Sequence, residues 1–251
     1  MDNSLYEMIF KRKSFHRYVD VGDEHLAEEE LAGIYEAWKG FTPLVPEIRT
    51  AIHIVPAAET SCKRGNEYSI LIYSEKKDKY LQNIGYLGEQ LDLYLTARDI
   101  GTLWFGVGRT RERTYDGLDY VIMMGIKKID DPAKFRKDYT ATKRKTVGEI
   151  WEGEPLRGVT DIVRFTPSAC NSQPWFVEND GTLKVFRRQK PGGVGIMPFF
   201  VVSYFHRFDM GIFYCFLELC LAHENIGFTR EVFTDDGKCR DKTPSALYRL
   251  G

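Results

Sequence analysis

The 251 residues carry 35 Lys+Arg against 36 Asp+Glu, a formal net charge of -1, so bulk electrostatics indicates neither a nucleic-acid binder nor a protein held on a membrane surface. With 43% apolar and 28% charged residues the chain has ample material for a core, and no window approaches the roughly 18 uninterrupted apolar residues that span a bilayer. Met1-Asp2-Asn3-Ser4 lacks the basic and apolar regions of a secretory signal, and the five cysteines (Cys62, Cys170, Cys215, Cys220, Cys239) form no C-x-x-C pair, so free thiols in a cytoplasmic protein are expected.

In chain order, residues 4–13 read as a helix through Leu5, Met8 and Ile9 that ends in the cationic run Lys11-Arg12-Lys13-Ser14-Phe15-His16-Arg17-Tyr18. Arg beside Ser suits a phosphate; a solvated basic helix end would look the same. An amphipathic helix is expected over residues 26–38, ending at Gly40, and strands over 50–55 and 68–74. His53, inside the first of these strands, reads as a satisfied core histidine. A core helix follows from about 84 to 100, closed by Gly101, and then the Gly-interrupted apolar run Thr102 to Gly108. A strand is expected over 120–126, a short helix over 157–163, a strand over 183–187, a helix over about 210–225 and a strand over 230–233, the rest being a polar tail. His206 and Arg207 are assigned no chemistry.

Between the short helix and its following strand lies Thr166-Pro167-Ser168-Ala169-Cys170-Asn171-Ser172-Gln173-Pro174-Trp175. Prolines bracket small polar residues, and an indole ends the run. Such a loop presents hydroxyls, an amide and backbone N–H groups to a large flat ligand, or forms an ordinary polar turn.

The two halves echo each other at an offset of about 124 to 126 residues. Phe41-Thr42-Pro43 falls on Phe165-Thr166-Pro167, Ile84-Gly85 on Met210-Gly211, Leu91-Asp92-Leu93 on Leu217-Glu218-Leu219, and Ile100-Gly101 on Ile226-Gly227. One domain of two repeats, 1–150 and 151–251, is therefore expected. The copies are not equivalent: Leu44-Val45-Pro46-Glu47 stands where the second half has Ser168 to Asn171, and the second half has no counterpart of the Arg12 to Tyr18 cluster.

With these landmarks the chain resembles the nitroreductase family of flavoproteins, in its single-chain, internally duplicated branch. Ile9 to Tyr18 is similar to the family's R-R-S-x-R-x-[FY] signature and Thr166 to Trp175 to its A-P-S-x-x-N-x-Q-P-W loop. The helix and loop from Gly85 to Gly106 resemble its central helix and flavin-facing loop, and Lys143-Arg144-Lys145-Thr146-Val147-Gly148-Glu149 its R-K-P-x-x-E segment.

The resemblance implies an α+β nitroreductase-like fold, a three-layer α/β/α sandwich with a mostly antiparallel central sheet and an internal pseudo-twofold repeat. It also implies one FMN per chain, the two halves standing in for the two subunits of the usual homodimer, which is compatible with a monomer. Arg12 and Ser14, with Lys13, Lys143 and Arg144, would hold the phosphate. His16 stands where the family carries Arg or Lys at the flavin pyrimidine; Pro167, Ser168 and Asn171 would line the ring, and Gly106 its redox edge.

The implied activity is NAD(P)H-dependent reduction of nitroaromatic, quinone or similar small acceptors by ping-pong hydride transfer at flavin N5, with no catalytic side chain, no metal and no nucleic-acid or membrane partner. A non-catalytic FMN carrier or sensor, its slot closed by Trp104, Phe105 and Trp175, stays open. So do a structural protein left by a decayed duplication and another flavin reaction such as reductive dehalogenation.

Overall fold

The computed structural model describes residues 3–251. Met1 and Asp2, part of the stretch read for a secretory signal, lie outside the described residues. Two compact units are present, one of Glu7–Tyr80 with Leu87–Tyr139, the other of the chain start to Tyr6, Leu81–Tyr86 and Thr140–Gly251.

The first unit contains α1 (Met8–Lys11), α2 (Glu28–Gly40), β1 (Thr50–Pro56), β2 (Tyr68–Ser74), most of α3 (Tyr80–Thr96), β3 (Ile100–Phe105), β4 (Thr114–Tyr115) and β5 (Leu118–Lys128). Where one helix was expected over 4–13, a 3-10 turn at Asn3–Leu5 is followed by the single turn of α1. Local charge explains α2: Glu28, Glu29 and Glu30 fill its first turn and Lys39 its last, and Glu30 accepts the Ala27 N–H at 3.1 Å. Only Ile34 and Trp38 are fully buried, as a one-sided apolar stripe requires.

The strands pair antiparallel in the order β1-β2-β5-β3, with β4 folded back on β5. The central position of β2 explains its unbroken apolar run, Ser69 to Ser74 being buried. Phe15, Tyr18, Leu71, Tyr73, Leu103 and Met123 belong to one core cluster on this sheet. The core helix stops at Thr96 rather than Ile100, because Asp99 takes a left-handed φ of 56° and turns the chain into β3. Gly101 is thus a strand residue, and a Cβ there would stand 2.8 Å from Ile129 and 2.9 Å from Phe15.

The second unit contains α4 (Val147–Ile150), β6 (Trp151–Gly153), α5 (Thr160–Val163), β7 (Trp175–Asn179), β8 (Thr182–Arg187), α6 (Phe199–His223), β9 (Phe228–Val232) and β10 (Thr243–Leu250). Its sheet runs β6-β7-β8-β10-β9, antiparallel except for the parallel pair β6/β7. α6 begins eleven residues before the expected start: Phe199 to Asp209 is a run rich in aromatic and β-branched residues in which Phe199 and Phe200 are exposed while Val202, Phe205 and Phe208 are buried, so hydropathy alone does not mark a helical face there. The expected polar tail holds β10, inserted between β8 and β9.

The two sheets share one plan. With β4 and β6 set aside, each half runs helix, strand, strand, core helix, strand, strand, and both sheets order their strands first, second, fourth, third. Within the second unit the segment Leu81–Tyr86 of α3 meets α6 at two glycines that the repeat offset equates. A Cβ on Gly85 would lie 2.2 Å from the Phe208 carbonyl oxygen and 3.2 Å from the Ile212 nitrogen; one on Gly211 would lie 2.0 Å from the Gln82 oxygen and 2.8 Å from the Tyr86 nitrogen. Each glycine therefore faces the residues three before and one after the other. That reciprocity is what a two-fold axis imposes on a self-complementary contact.

Candidate functional site

In the first unit α1 ends at Lys11, and Arg12 leaves the helix with φ -56° and ψ 143°. This turn drives its side chain inward, where it is 2% exposed. The guanidinium donates to Asp92 Oδ2 from Nε at 3.2 Å and from Nη2 at 2.9 Å, and Glu89 Oε1 lies 3.6 Å from Nε. Asp92 also accepts from Thr102 Oγ1 at 2.5 Å and Trp104 Nε1 at 3.3 Å. Arg12, expected among the phosphate ligands, is thus paired with a carboxylate of the core helix. Burial first, and the neighbouring Asp92 charge second, push the Glu89 carboxyl well above the carboxylate range, so it is held as a neutral acid.

Of the residues after Arg12, Lys13, Ser14, His16 and Arg17 lie toward the surface, while Phe15 and Tyr18 are buried. The Ser14 backbone bridges to Thr102 and the Phe15 N–H donates to Thr102 O at 2.8 Å, which fixes this strand-like segment beside β3. Lys13, Ser14, His16, Arg17 and Lys134 line a cavity of about 280 Å³ with Phe15, Val19 and Val21 as apolar wall. Lys13 Nζ donates to the Lys134 carbonyl at 2.8 Å. Lys134 sits in a 3-10 turn, Pro132–Lys134, and no signal close to the signature marks it.

Gly106 directly follows β3, inside a turn closed by the Gly108 N–H on Phe105 O at 3.0 Å. Trp104 packs over α3, where a Cβ on Gly88 would come within 2.3 Å of the ring. A larger cavity of about 640 Å³ in the same unit is lined by Glu59, Thr60, Lys63, Arg111 and Glu112 among others, none of them singled out by the sequence. On its rim His53, half-exposed rather than in the core, pairs with Glu112 at 2.8 Å and stacks on Tyr115.

In the second unit the basic run 143–145 and the polar loop are joined. Arg144 Nη1 donates to Asn171 Oδ1 at 2.6 Å, Asn171 Nδ2 to the Lys143 carbonyl at 2.9 Å, and Lys145 N–H to Gln173 Oε1 at 2.8 Å. Lys145 Nζ donates to the Gln173 carbonyl at 2.6 Å, and burial is the first cause that lowers its pKa. Pro167 and Ser168 enter the loop half-buried, and Ser168 Oγ accepts the Gln173 N–H at 2.9 Å. Cys170, Asn171 and Gln173 have φ of 49°, 54° and 49°, so the loop is locally strained. Trp175 is fully buried and stacked on Phe213 at 5.1 Å, so its indole is a core group and not a surface offered to a flat ligand. All five cysteines are free thiols.

Two repeats of one α+β plan, one carrying a cationic cavity and the other a pinned polar loop, define a nitroreductase-like protein. A family profile described as "Putative TM nitroreductase" matches residues 4–221, and the chain belongs to that family. Among solved structures it is similar to a "putative nitroreductase" of Thermotoga maritima at 17% identity, over 98% of this chain and 93% of that one, with a TM-score of 0.63.

A Parabacteroides distasonis protein described as "Putative NADH dehydrogenase/NAD(P)H nitroreductase" aligns at 13% identity over 62% of this chain and 100% of that one, TM-score 0.44. A "putative nitroreductase" of Desulfovibrio desulfuricans, solved in complex with FMN, aligns at 17% identity over 62% of this chain and 99% of that one, TM-score 0.41. At such identities the likeness speaks for the fold alone. A search of curated proteins returned no match. Among the described residues no helix is long and apolar enough to cross a membrane, and no group of His, Cys, Asp and Glu is placed to hold a metal ion.

Proposed function

We propose that this protein is an FMN-dependent oxidoreductase that uses NAD(P)H to reduce nitroaromatic, quinone or similar small acceptors. The observation that carries the reading is the cationic cavity of Lys13, Ser14, His16, Arg17 and Lys134 in a chain of the nitroreductase family. Its chemistry fits a dianionic phosphate: two lysines and an arginine supply charge and the Ser14 hydroxyl a short directional donor. Arg12 stands outside that set and acts through Asp92 on the core helix.

Lys143 and Arg144 are assigned to the phosphate, Pro167, Ser168 and Asn171 to the isoalloxazine ring, and Gly106 to the redox edge. A neutral His16 offers the pyrimidine one hydrogen bond and no fixed charge, so Arg17 is the nearest permanent cation in sequence. When bound, FMN supplies the hydride and electron chemistry, and the protein contributes position, electrostatics and exclusion of water. One FMN per chain, a monomeric working species and a cytoplasmic setting complete the reading. They are supported by the single copies of the basic signature and of the polar loop and by the five free thiols.

The test is a visible-spectrum titration with FMN at known stoichiometry, followed by anaerobic NADH and then NADPH. Saturation at one equivalent with bleaching by either nucleotide supports the reductase. Saturation without bleaching makes the protein a carrier, and no binding removes the reading.

A further inference from the structure

Three residues of the loop Ser168–Gln173 hold left-handed backbone without being glycine, a conformation that costs of order 1 kcal/mol each and persists only where the surroundings impose it. One side is imposed by Lys143, Arg144 and Lys145, as described above. The other rests on a single carboxyl group. Asp209, on α6 and 2% exposed, accepts the Ala169 N–H on Oδ1 at 2.9 Å, and its Oδ2 lies 3.3 Å from Ser172 Oγ.

These two contacts bracket Cys170 and Asn171, the first two left-handed residues. Burial pushes the Asp209 carboxyl up to about 8. The Ala169 N–H donates to Oδ1 and the Ser172 hydroxyl to Oδ2, so both carboxyl oxygens accept from the loop, and a proton taken up by the group competes with these contacts.

Other charged or titratable groups stand on the same helix or on elements packed against it: His206 one turn earlier, Asp161 on α5, Cys170 in the loop and Arg187 on β8. Among the described residues none of these hydrogen-bonds Asp209, and Arg187 is held by Asp235. The repeat offset sets Asp209 against Asn83, a buried residue of α3, in the half that has Leu44-Val45-Pro46-Glu47 in place of the loop. The carboxylate occurs in the half that carries the loop; the other half has the amide of the same shape.

We infer that Asp209 is a positioning residue that sets the shape of the Ser168–Gln173 loop, and through it the affinity for the cofactor. The second clause rests on the FMN reading; the first does not.

The experiment uses the full chain with D209N, whose amide has the precedent of Asn83, and D209A as a second variant. Hydrogen exchange of the 168–175 segment, corrected for intrinsic rates, is followed without cofactor at about pH 6.5 and about pH 9.5, and FMN dissociation constants are measured at the same two values. In the wild type, loop protection and FMN affinity should both change by roughly tenfold between the two pH values, the worth of one hydrogen bond. D209N should abolish that change, and D209A should lose protection at both. Equal loop protection in wild type and D209N at both pH values overturns the inference, as does full protection in D209A. A loop that responds as expected in a chain that binds no FMN keeps the first clause and removes the FMN reading.

Discussion

Arg144 and Asn171, 27 positions apart, meet through a hydrogen bond of 2.6 Å from guanidinium Nη1 to amide Oδ1. Two residues read from the sequence as separate contributors to one site are thus a coupled pair. Arg144→Ala and Asn171→Ser should each loosen the loop, and the double variant should do little more than either alone. A double-mutant cycle on FMN affinity should give a coupling of about 1 kcal/mol. Strict additivity would show that the pair matters separately to the cofactor.

The cationic run divides into a structural and a ligand-facing part. Arg12→Ala strands Asp92 in the core and should cost about 3–5 kcal/mol of stability by urea unfolding. Lys13→Ala and Lys134→Ala lie at a cavity wall and should change stability by no more than about 0.5 kcal/mol. They should weaken FMN binding by about tenfold or more while leaving riboflavin, which lacks the phosphate, nearly unaffected.

Two acids one turn apart on α3 carry opposite expectations. Glu89 is held neutral, so Glu89→Gln replaces like with like and should cost less than about 1 kcal/mol. Asp92 anchors Arg12, Thr102 and Trp104, and Asp92→Asn should cost about 3–5 kcal/mol. Denaturant melts at pH 7 decide between this and a reversed assignment of charge.

His206 is buried with neither ring nitrogen hydrogen-bonded, and burial lowers its pKa from 6.5 to about 4. A histidine whose folded pKa lies below its unfolded one favours the fold only while neutral. Its contribution is full above pH 6.5 and is lost as pH falls toward 4, on the order of 3 kcal/mol in all. Asp209 acts in the opposite sense, since a folded pKa raised to about 8 makes stability fall as pH rises toward 8. His206→Phe should therefore be no less stable than wild type near neutrality and should gain on it steadily below pH 6.5. Parallel pH profiles for the two proteins would refute the assignment.

Gly85 and Gly211 tolerate no side chain without moving backbone. Either one changed to Ala should cost about 1–3 kcal/mol, because the obstructing atoms are main-chain carbonyl and amide groups rather than flexible side chains. Once the first methyl has parted the helices the second should cost less, so the double variant should fall short of the sum.

Where the chemistry of a segment had one outlet, the sequence made it legible. Tyr68–Ser74 is an apolar run with no helical period and became the buried β2 with those bounds. The paired glycines were visible as a repeat before their contact was. Elsewhere local signals had two outlets. Arg12 beside Ser14 suits any anion, and its bond to the Asp92 carboxylate, 80 residues away, has no local signal. Gly101 looked like a helix stop, but Asp99 made the turn and the glycine served close packing inside β3. α6 hid its first eleven residues because their aromatic and β-branched side chains fall on the exposed side, at Phe199 and Phe200, as well as on the buried one, and so show no stripe. Lys134 and Asp209 lie far along the chain from the segments they serve, and no local spacing connects them.

The reciprocal glycine contact between α3 and α6 joins two stretches of a single polypeptide. Its strength does not depend on how much protein is in solution, since one partner is always present at the effective concentration set by the intervening chain. A site assembled across two separate subunits empties on dilution as they part. Dilution has nothing to separate at the glycine contact.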